Sequence, residues 1–193
     1  MNVLVSRQAA IPGKGRSLSE IHCIISKNMP IFDANSMEFI SRSPEQTRRV
    51  GMRLGMLLQI GDVICLAGDL GSGKTVFVQG LAAGWGSLDS VTSPSFVLVN
   101  VYRGPNGQSF YHLDAYRMND PHEAVDLDLE AMLEKGPLVI EWADRIQSAL
   151  PKEALWIKMR WIDYEQRDLL FTATGKRYQE MLASIRRQVF GVR

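Results

Sequence analysis

The residues with the plainest chemistry run from Gly68 to Thr75: Gly68-Asp69-Leu70-Gly71-Ser72-Gly73-Lys74-Thr75. They spell G-x-x-x-x-G-K-T, a P-loop, and each residue type has a physical task. Gly71 and Gly73 can take positive φ and bring backbone N–H groups onto phosphate oxygens with no Cβ in the way. A helix opening at Lys74 aims its unpaired N–H groups and its dipole at the same anion. Lys74 is suited to the β- and γ-phosphates and the Thr75 hydroxyl to Mg²⁺. The nucleotide implied is a triphosphate such as ATP.

Hydrolysis needs an acid near the metal and a group that positions the attacking water. Two carboxylates follow apolar strand-like runs: Asp114 after Tyr111-His112-Leu113, and Glu141 after Leu138-Val139-Ile140. In an open α/β sheet such positions fall at the carboxyl edge, where ligands bind. Either both acids belong to the Mg²⁺ sphere, or one is a metal ligand and the other orients water, or they are a helix N-cap aspartate and an ordinary strand-end glutamate. Between the P-loop helix and the next strand lies Val91-Thr92-Ser93-Pro94-Ser95, a hydroxyl-rich loop at the place of a γ-phosphate switch, or else a simple Ser/Pro turn. Trp142 is either core or a stacking aromatic. Arg117 and Arg145 could offset transition-state charge or be solvated surface residues. His22, His112 and His122 show no metal-ligand spacing, and His112 reads as structural.

The elements that must carry these residues alternate between strand and helix. Ser43-Pro44-Glu45 has the form of an N-cap, a first-turn proline and a first-turn acid, opening a helix with Val50, Leu54, Leu57 and Leu58 inward. The P-loop strand follows Gly61-Asp62, and the helix after Thr75 is expected to end at Gly84. Phe96–Tyr102 and Ser109–Leu113 flank a Gly-Pro-Asn-Gly turn and predict an antiparallel hairpin. Pro121–Glu134 is acidic with a helical bias. Leu138–Ile140 is a short strand, Ala143–Leu150 a short helix, and Leu155–Ile162 with Leu169–Thr172 a second hairpin at a sheet edge. Tyr178–Phe190 closes the chain as an amphipathic helix. The pattern predicts an α/β P-loop NTPase-like three-layer fold: a mixed central sheet with antiparallel hairpins and flanking helices.

With 193 residues, 46% hydrophobic and 22% charged, the chain can build one sizeable core. A net charge of +1 supplies no global field for nucleic acid or an anionic membrane, so neither DNA nor a membrane is an expected partner. Cys23 and Cys65 suggest neither a disulfide framework nor a zinc site, which fits a reducing cytoplasm. Residues 1–36 read as an N-terminal extension, a disordered tail or the product of an upstream start, with residues 37–193 as a single ATPase-type domain. The extension has no apolar core of the length a secretory signal needs.

Together, Gly68–Thr75, Val91-Thr92-Ser93-Pro94-Ser95-Phe96, Tyr111-His112-Leu113-Asp114-Ala115-Tyr116-Arg117 and Ile140-Glu141-Trp142 resemble the bacterial TsaE (YjeE) family in residue types, order and spacing. The resemblance spans about Met37 to Leu150. It implies the ATPase subunit of the machinery that makes N6-threonylcarbamoyladenosine at position 37 of tRNA, working with TsaB- and TsaD-type partners and meeting tRNA indirectly through them. It implies Lys74 as the phosphate lysine, Thr75 and Glu141 at Mg²⁺, Asp114 as essential to hydrolysis, and Ser93 to Ser95 as the switch loop. Trp142 matches the family's aromatic, and Glu45 is the nearest match to an acid that contacts nucleotide. Ser95 stands where relatives usually carry Thr, which keeps the hydroxyl. The competing readings are a small-molecule or nucleotide kinase and a nucleotide-gated binding module. The acidic Pro121–Glu134 segment is a poor phosphoryl-donor lid and counts against the kinase.

Overall fold

The computed structural model describes residues 33–92, 98–104, 107–118 and 120–191. Ser93, Ser95 and the start of the strand expected from Phe96 lie outside them, as do residues 1–32 of the N-terminal extension. Seven strands form one sheet: β1 (Ser36–Ser41), β2 (Val63–Ala67), β3 (Val99–Arg103), β4 (Ser109–Asp114), β5 (Leu138–Glu141), β6 (Ala154–Trp161) and β7 (Arg167–Thr174). Their spatial order is β1-β7-β6-β2-β5-β4-β3. The central four, β6, β2, β5 and β4, are mutually parallel, and the outer pairings are antiparallel. The parallel block therefore presents all its carboxyl ends at one edge, where β2 delivers the P-loop, β4 delivers Asp114 and β5 delivers Glu141.

Side-chain alternation splits the core into two faces. Ile64 and Leu66 of β2 pack with Leu54, Phe77, Leu81, Phe171 and Ile185 beneath α1 (Pro44–Gly55), α2 (Lys74–Trp85) and α5 (Lys176–Phe190). Val63 and Cys65 face the other way, with Leu113, Ile140 and Ile146. That side is covered by α3 (His122–Val125), α4 (Leu129–Leu133) and a 3-10 helix at Ala143–Ala149. The expected three-layer α/β arrangement is the one observed. Among the described residues no helix is long and apolar enough to cross a membrane.

Several local expectations are met with their chemistry intact. Ser43 caps α1 by accepting from the Gln46 amide at 3.2 Å, with Pro44 at the first helical position. The β3–β4 and β6–β7 hairpins pair as expected. Others change. The β6–β7 hairpin is not at the edge, because β1 pairs with β7 from Arg167 to Thr172. Asn35 O accepts from the Ala173 amide at 2.8 Å, and β1 opens at Ser36. The acidic Pro121–Glu134 segment is two short helices, broken where Asp128 takes φ +50 and caps α4 through the Ala131 amide.

Gly84 does not end α2. The helix continues to Trp85 and stops at Gly86, whose φ of +93 lets its N–H reach Ala82 O and Ala83 O. Gly84 instead sits in the contact between α1 and α2. Gly51 and Gly55 on α1, with Gly80 and Gly84 on α2, bring the two backbones close enough that an added Cβ would lie 1.9–2.5 Å from a facing carbonyl oxygen. Glycines spaced four apart remove the side chains that would hold two helices at the usual separation. The P-loop helix is thereby clamped backbone to backbone.

Candidate active site

The P-loop connects β2 to α2 at the sheet edge. Gly68, with φ +130, passes so close to β6 that a Cβ there would meet Met159 O at 2.0 Å. Gly71 and Gly73 have φ +77 and +95, the conformations their positions in the motif anticipate. Gly73 is also the N-cap of α2 and contributes no side chain, and the first turn holds no acid. The N-terminal amides of α2 therefore have no side-chain cap, the condition in which a helix start receives an anion.

Lys74 is buried, 5% exposed, at the first position of α2. Its Nζ donates to Gly68 O at 2.7 Å, Asp69 O at 2.8 Å and Ser72 Oγ at 3.3 Å. The Trp142 ring lies over it, 3.8 Å from Nζ to the centroid. Burial pushes the Lys74 ammonium below its usual pKa range, against the opposing pull of Glu141, Asp114, Asp144 and Asp69.

Thr75 Oγ1 donates to Glu141, 2.9 Å from Oε1 and 3.2 Å from Oε2. The register explains the meeting: Glu141 pairs across β5 with Leu66 of β2 on one side and with Asp114 of β4 on the other. Glu141 is 3% exposed. Asp114 is half-buried, and its Oδ1 accepts from the Tyr116 amide at 2.9 Å. Burial raises the Asp114 carboxyl above the usual range; the Tyr116 amide opposes this, and the charge of Glu141 adds to it.

After Glu141 the chain turns sharply, with Trp142 at φ +57, a left-handed conformation rare for a non-glycine residue. That turn swings the indole over Lys74 and against Tyr116, with ring centroids 4.9 Å apart. Arg145 lies over the outer side of Tyr116 at 5.3 Å and donates to Met118 O. A cavity of about 560 Å³ collects Leu70, Gly71, Gly73, Lys74, Thr75, Asp114, Arg117, Glu141 and Trp142 on one wall or another.

The structure thus brings together Gly68 to Thr75, Asp114, Glu141 and Trp142. Asp69 also borders a neighbouring groove, with Trp142, Trp156 and Lys158. Glu45 is exposed in the first turn of α1 and does not line this cavity. Arg117 does line it, whereas Arg145 acts on Tyr116. His112, expected to be structural, is fully buried and places Nε2 3.0 Å from Glu141 Oε1. The only sequence signal for that contact is its place two residues before Asp114, on the same strand face.

The donor set suits Mg²⁺. Among the described residues no group of three or more His, Cys, Asp or Glu forms a self-sufficient metal cage. A hydroxyl beside one or two carboxylates matches a hard cation that keeps waters and takes phosphate oxygens for its remaining ligands. The Thr75 hydrogen is committed to Glu141, so the hydroxyl's lone pairs are what it offers a cation.

The family model for threonylcarbamoyl adenosine biosynthesis protein TsaE matches residues 41–169, which include every motif of the site. The tRNA threonylcarbamoyladenosine biosynthesis protein TsaE of Bacillus subtilis is 37% identical over 145 residues, covering 75% of this chain and 90% of that protein. Its counterpart in Treponema pallidum is 41% identical over 125 residues, 64% of this chain and 91% of that protein. The crystal structure of Bacillus subtilis YdiB aligns with a TM-score of 0.66 and 32% identity, over 79% of this chain and 95% of that one. The P-loop, the two strand-end acids and the aromatic that covers the lysine occur within a sequence and a fold shared with these proteins, and the chain belongs to the TsaE family.

Proposed function

We propose that this chain is a Mg²⁺-dependent ATPase, cytoplasmic, that serves threonylcarbamoylation of adenosine 37 in tRNA by acting on a TsaB–TsaD-type complex. It is not itself the transferase. The observation that carries the reading is the Thr75–Glu141 hydrogen bond beside the Lys74-bearing loop, which joins a metal-type hydroxyl and acid to a phosphate cradle. The names of the relatives support the tRNA-modification role.

In this reading the loop amides and the start of α2 hold the β-phosphate, and Lys74 spans the β- and γ-phosphates. Thr75 and Glu141 form the metal side of the site. A bound Mg²⁺ would supply charge neutralisation of the phosphate oxygens. Asp114 faces the same cavity, and its raised affinity for protons suits it to accept one from an attacking water. Trp142, backed by Tyr116, covers the lysine and limits solvent there.

The test is ATP turnover by the purified chain with and without Mg²⁺, alone and with TsaB- and TsaD-type partners. Phosphate release that requires Mg²⁺ and changes with the partners is the expected result. Accumulation of a phosphorylated small molecule, with turnover indifferent to the partners, would establish a kinase instead.

A further inference from the structure

Glu141 is held from two sides, and only one of them belongs to the P-loop. Oε1 receives Thr75 Oγ1 at 2.9 Å and His112 Nε2 at 3.0 Å. Oε2 keeps one longer contact, 3.2 Å to Thr75 Oγ1. The histidine sits beneath the site on β4, fully buried, with its ring stacked on Tyr102 at 6.3 Å and an interplanar angle of 27°. Tyr102 is itself tied down, its hydroxyl donating to Thr92 O and accepting from Asn100 Nδ2, each at 3.1 Å.

The other ring nitrogen decides how this contact is read. His112 Nδ1 is buried and has no hydrogen-bond partner among the described residues. A histidine kept for packing alone would gain by satisfying both nitrogens or by yielding to an apolar residue of similar size. Here the single polar contact of a fully buried ring goes to the acid at the metal side of the site. Because a carboxylate accepts, the Nε2 atom carries the hydrogen in this contact.

We infer that His112 is a positioning residue: its Nε2–H fixes the rotation of the Glu141 carboxylate, so that this acid and Thr75 would be presented to a divalent cation in a set orientation. The inference rests on the Mg²⁺–nucleotide reading of the site. Without the His112 bond, the Glu141 carboxylate keeps, among the described residues, only its hydrogen bond from Thr75, the same hydroxyl that would serve the cation, and its rotation is less fixed. Loss of such an outer contact lowers metal affinity by about 10- to 100-fold in metal sites generally.

The experiment measures binding of a fluorescent ATP analogue to the full chain over a Mg²⁺ titration and again in chelator. For His112→Leu, which keeps apolar bulk and removes the donor, the Mg²⁺ half-saturation point rises about tenfold or more. Affinity in chelator stays within about threefold of wild type, since Lys74 and the loop are untouched. His112→Gln, whose amide can donate from a similar place, recovers most of the Mg²⁺ dependence. An unchanged Mg²⁺ midpoint in His112→Leu, equal losses with and without Mg²⁺, or a Gln variant no better than Leu would overturn the assignment. Wild-type affinity indifferent to Mg²⁺ would overturn the Mg²⁺ reading of the site as well, a distinct outcome. A measurement on the wild-type chain is independent of variant folding: ¹⁵N–¹H correlation of the His112 ring is expected to show the Nε2–H tautomer, and the Nδ1–H tautomer would refute it.

Discussion

Replacing Gly84 by alanine sets two calculable effects against each other. In an exposed helix the change would stabilise by about 1 kcal/mol, since glycine is the poorer helix former. Here the new Cβ would stand 1.9 Å from Met52 O, with the carbonyl carbon at 2.7 Å, and both are backbone atoms that cannot rotate away. Acceptable contacts begin near 3.0 Å, so α1 and α2 must part by about 1 Å. A gap of that size forfeits roughly a quarter to a half of the dispersion energy along the seam where Val50 and Leu54 meet Phe77 and Leu81. Overpacking usually costs about 1–3 kcal/mol, and a backbone-on-backbone clash belongs at or above the top of that range. The net expectation is a loss of about 2–4 kcal/mol in urea unfolding, or about 5–15 °C in melting temperature for a chain of this size. The clash distances also set an order. Gly84 should cost most, then Gly55 at 2.1 Å and Gly80 at 2.2 Å, with Gly51 at 2.5 Å the mildest. A Gly84→Ala protein as stable as wild type, or a Gly51→Ala protein less stable than it, would refute the reasoning.

Three further outcomes are expected. Lys74→Ala should abolish nucleotide binding in a fluorescent-nucleotide titration, whereas Glu141→Ala should, at saturating Mg²⁺, cost turnover more than affinity, and equal binding losses in the two at saturating Mg²⁺ would deny that division of labour. Asp62→Ala removes the buried acceptor for Arg177 Nε and Nη2 and for the Gln59 amide, and should cost about 2–4 kcal/mol in chemical unfolding, less than a fully enclosed pair because Arg177 can rehydrate. Tyr178 accepts from the Val63 amide at 2.8 Å, and burial pushes its phenol up to about 12. The unfolded chain ionises this group near pH 10, so its stabilising contribution is complete below pH 10 and falls away toward pH 12, by at most about 2–3 kcal/mol. Tyr178→Phe should be less stable at neutral pH but show a shallower alkaline decline, and parallel declines would count against the assignment.

The P-loop and the two strand-end acids were legible because strand, turn and acid are contiguous in the chain, so a local reading places them at one sheet edge. What escaped that reading depends on distant partners. β1, Ser36-Met37-Glu38-Phe39-Ile40-Ser41, is a half-polar strand whose pairing with β7 lies more than a hundred residues away. His112 meets Glu141 across neighbouring strands, and nothing in its immediate sequence distinguishes a ring that packs from one that also bonds to an acid. Gly84 had the appearance of a helix stop, and only the approach of α1 shows why glycine stands there. The split of Pro121–Glu134 turned on Asp128, whose side chain found an amide to cap in a left-handed conformation that composition does not disclose. Glu45 followed the family's pattern by proximity in sequence, but its exposed position in the first turn of α1 is off the cavity wall.

Lys74 meets any incoming phosphate already bonded to two carbonyls and a hydroxyl, with an indole on its open side. In the proposed reading, phosphate capture at this lysine would be a trade, with each oxygen gained matched against one released. The released groups are not idle. Gly68 and Asp69 also wall the adjoining groove, and Trp142 borders both spaces. A phosphate that drew Lys74 from these two carbonyls would, in the same act, loosen part of the lining of that adjoining groove.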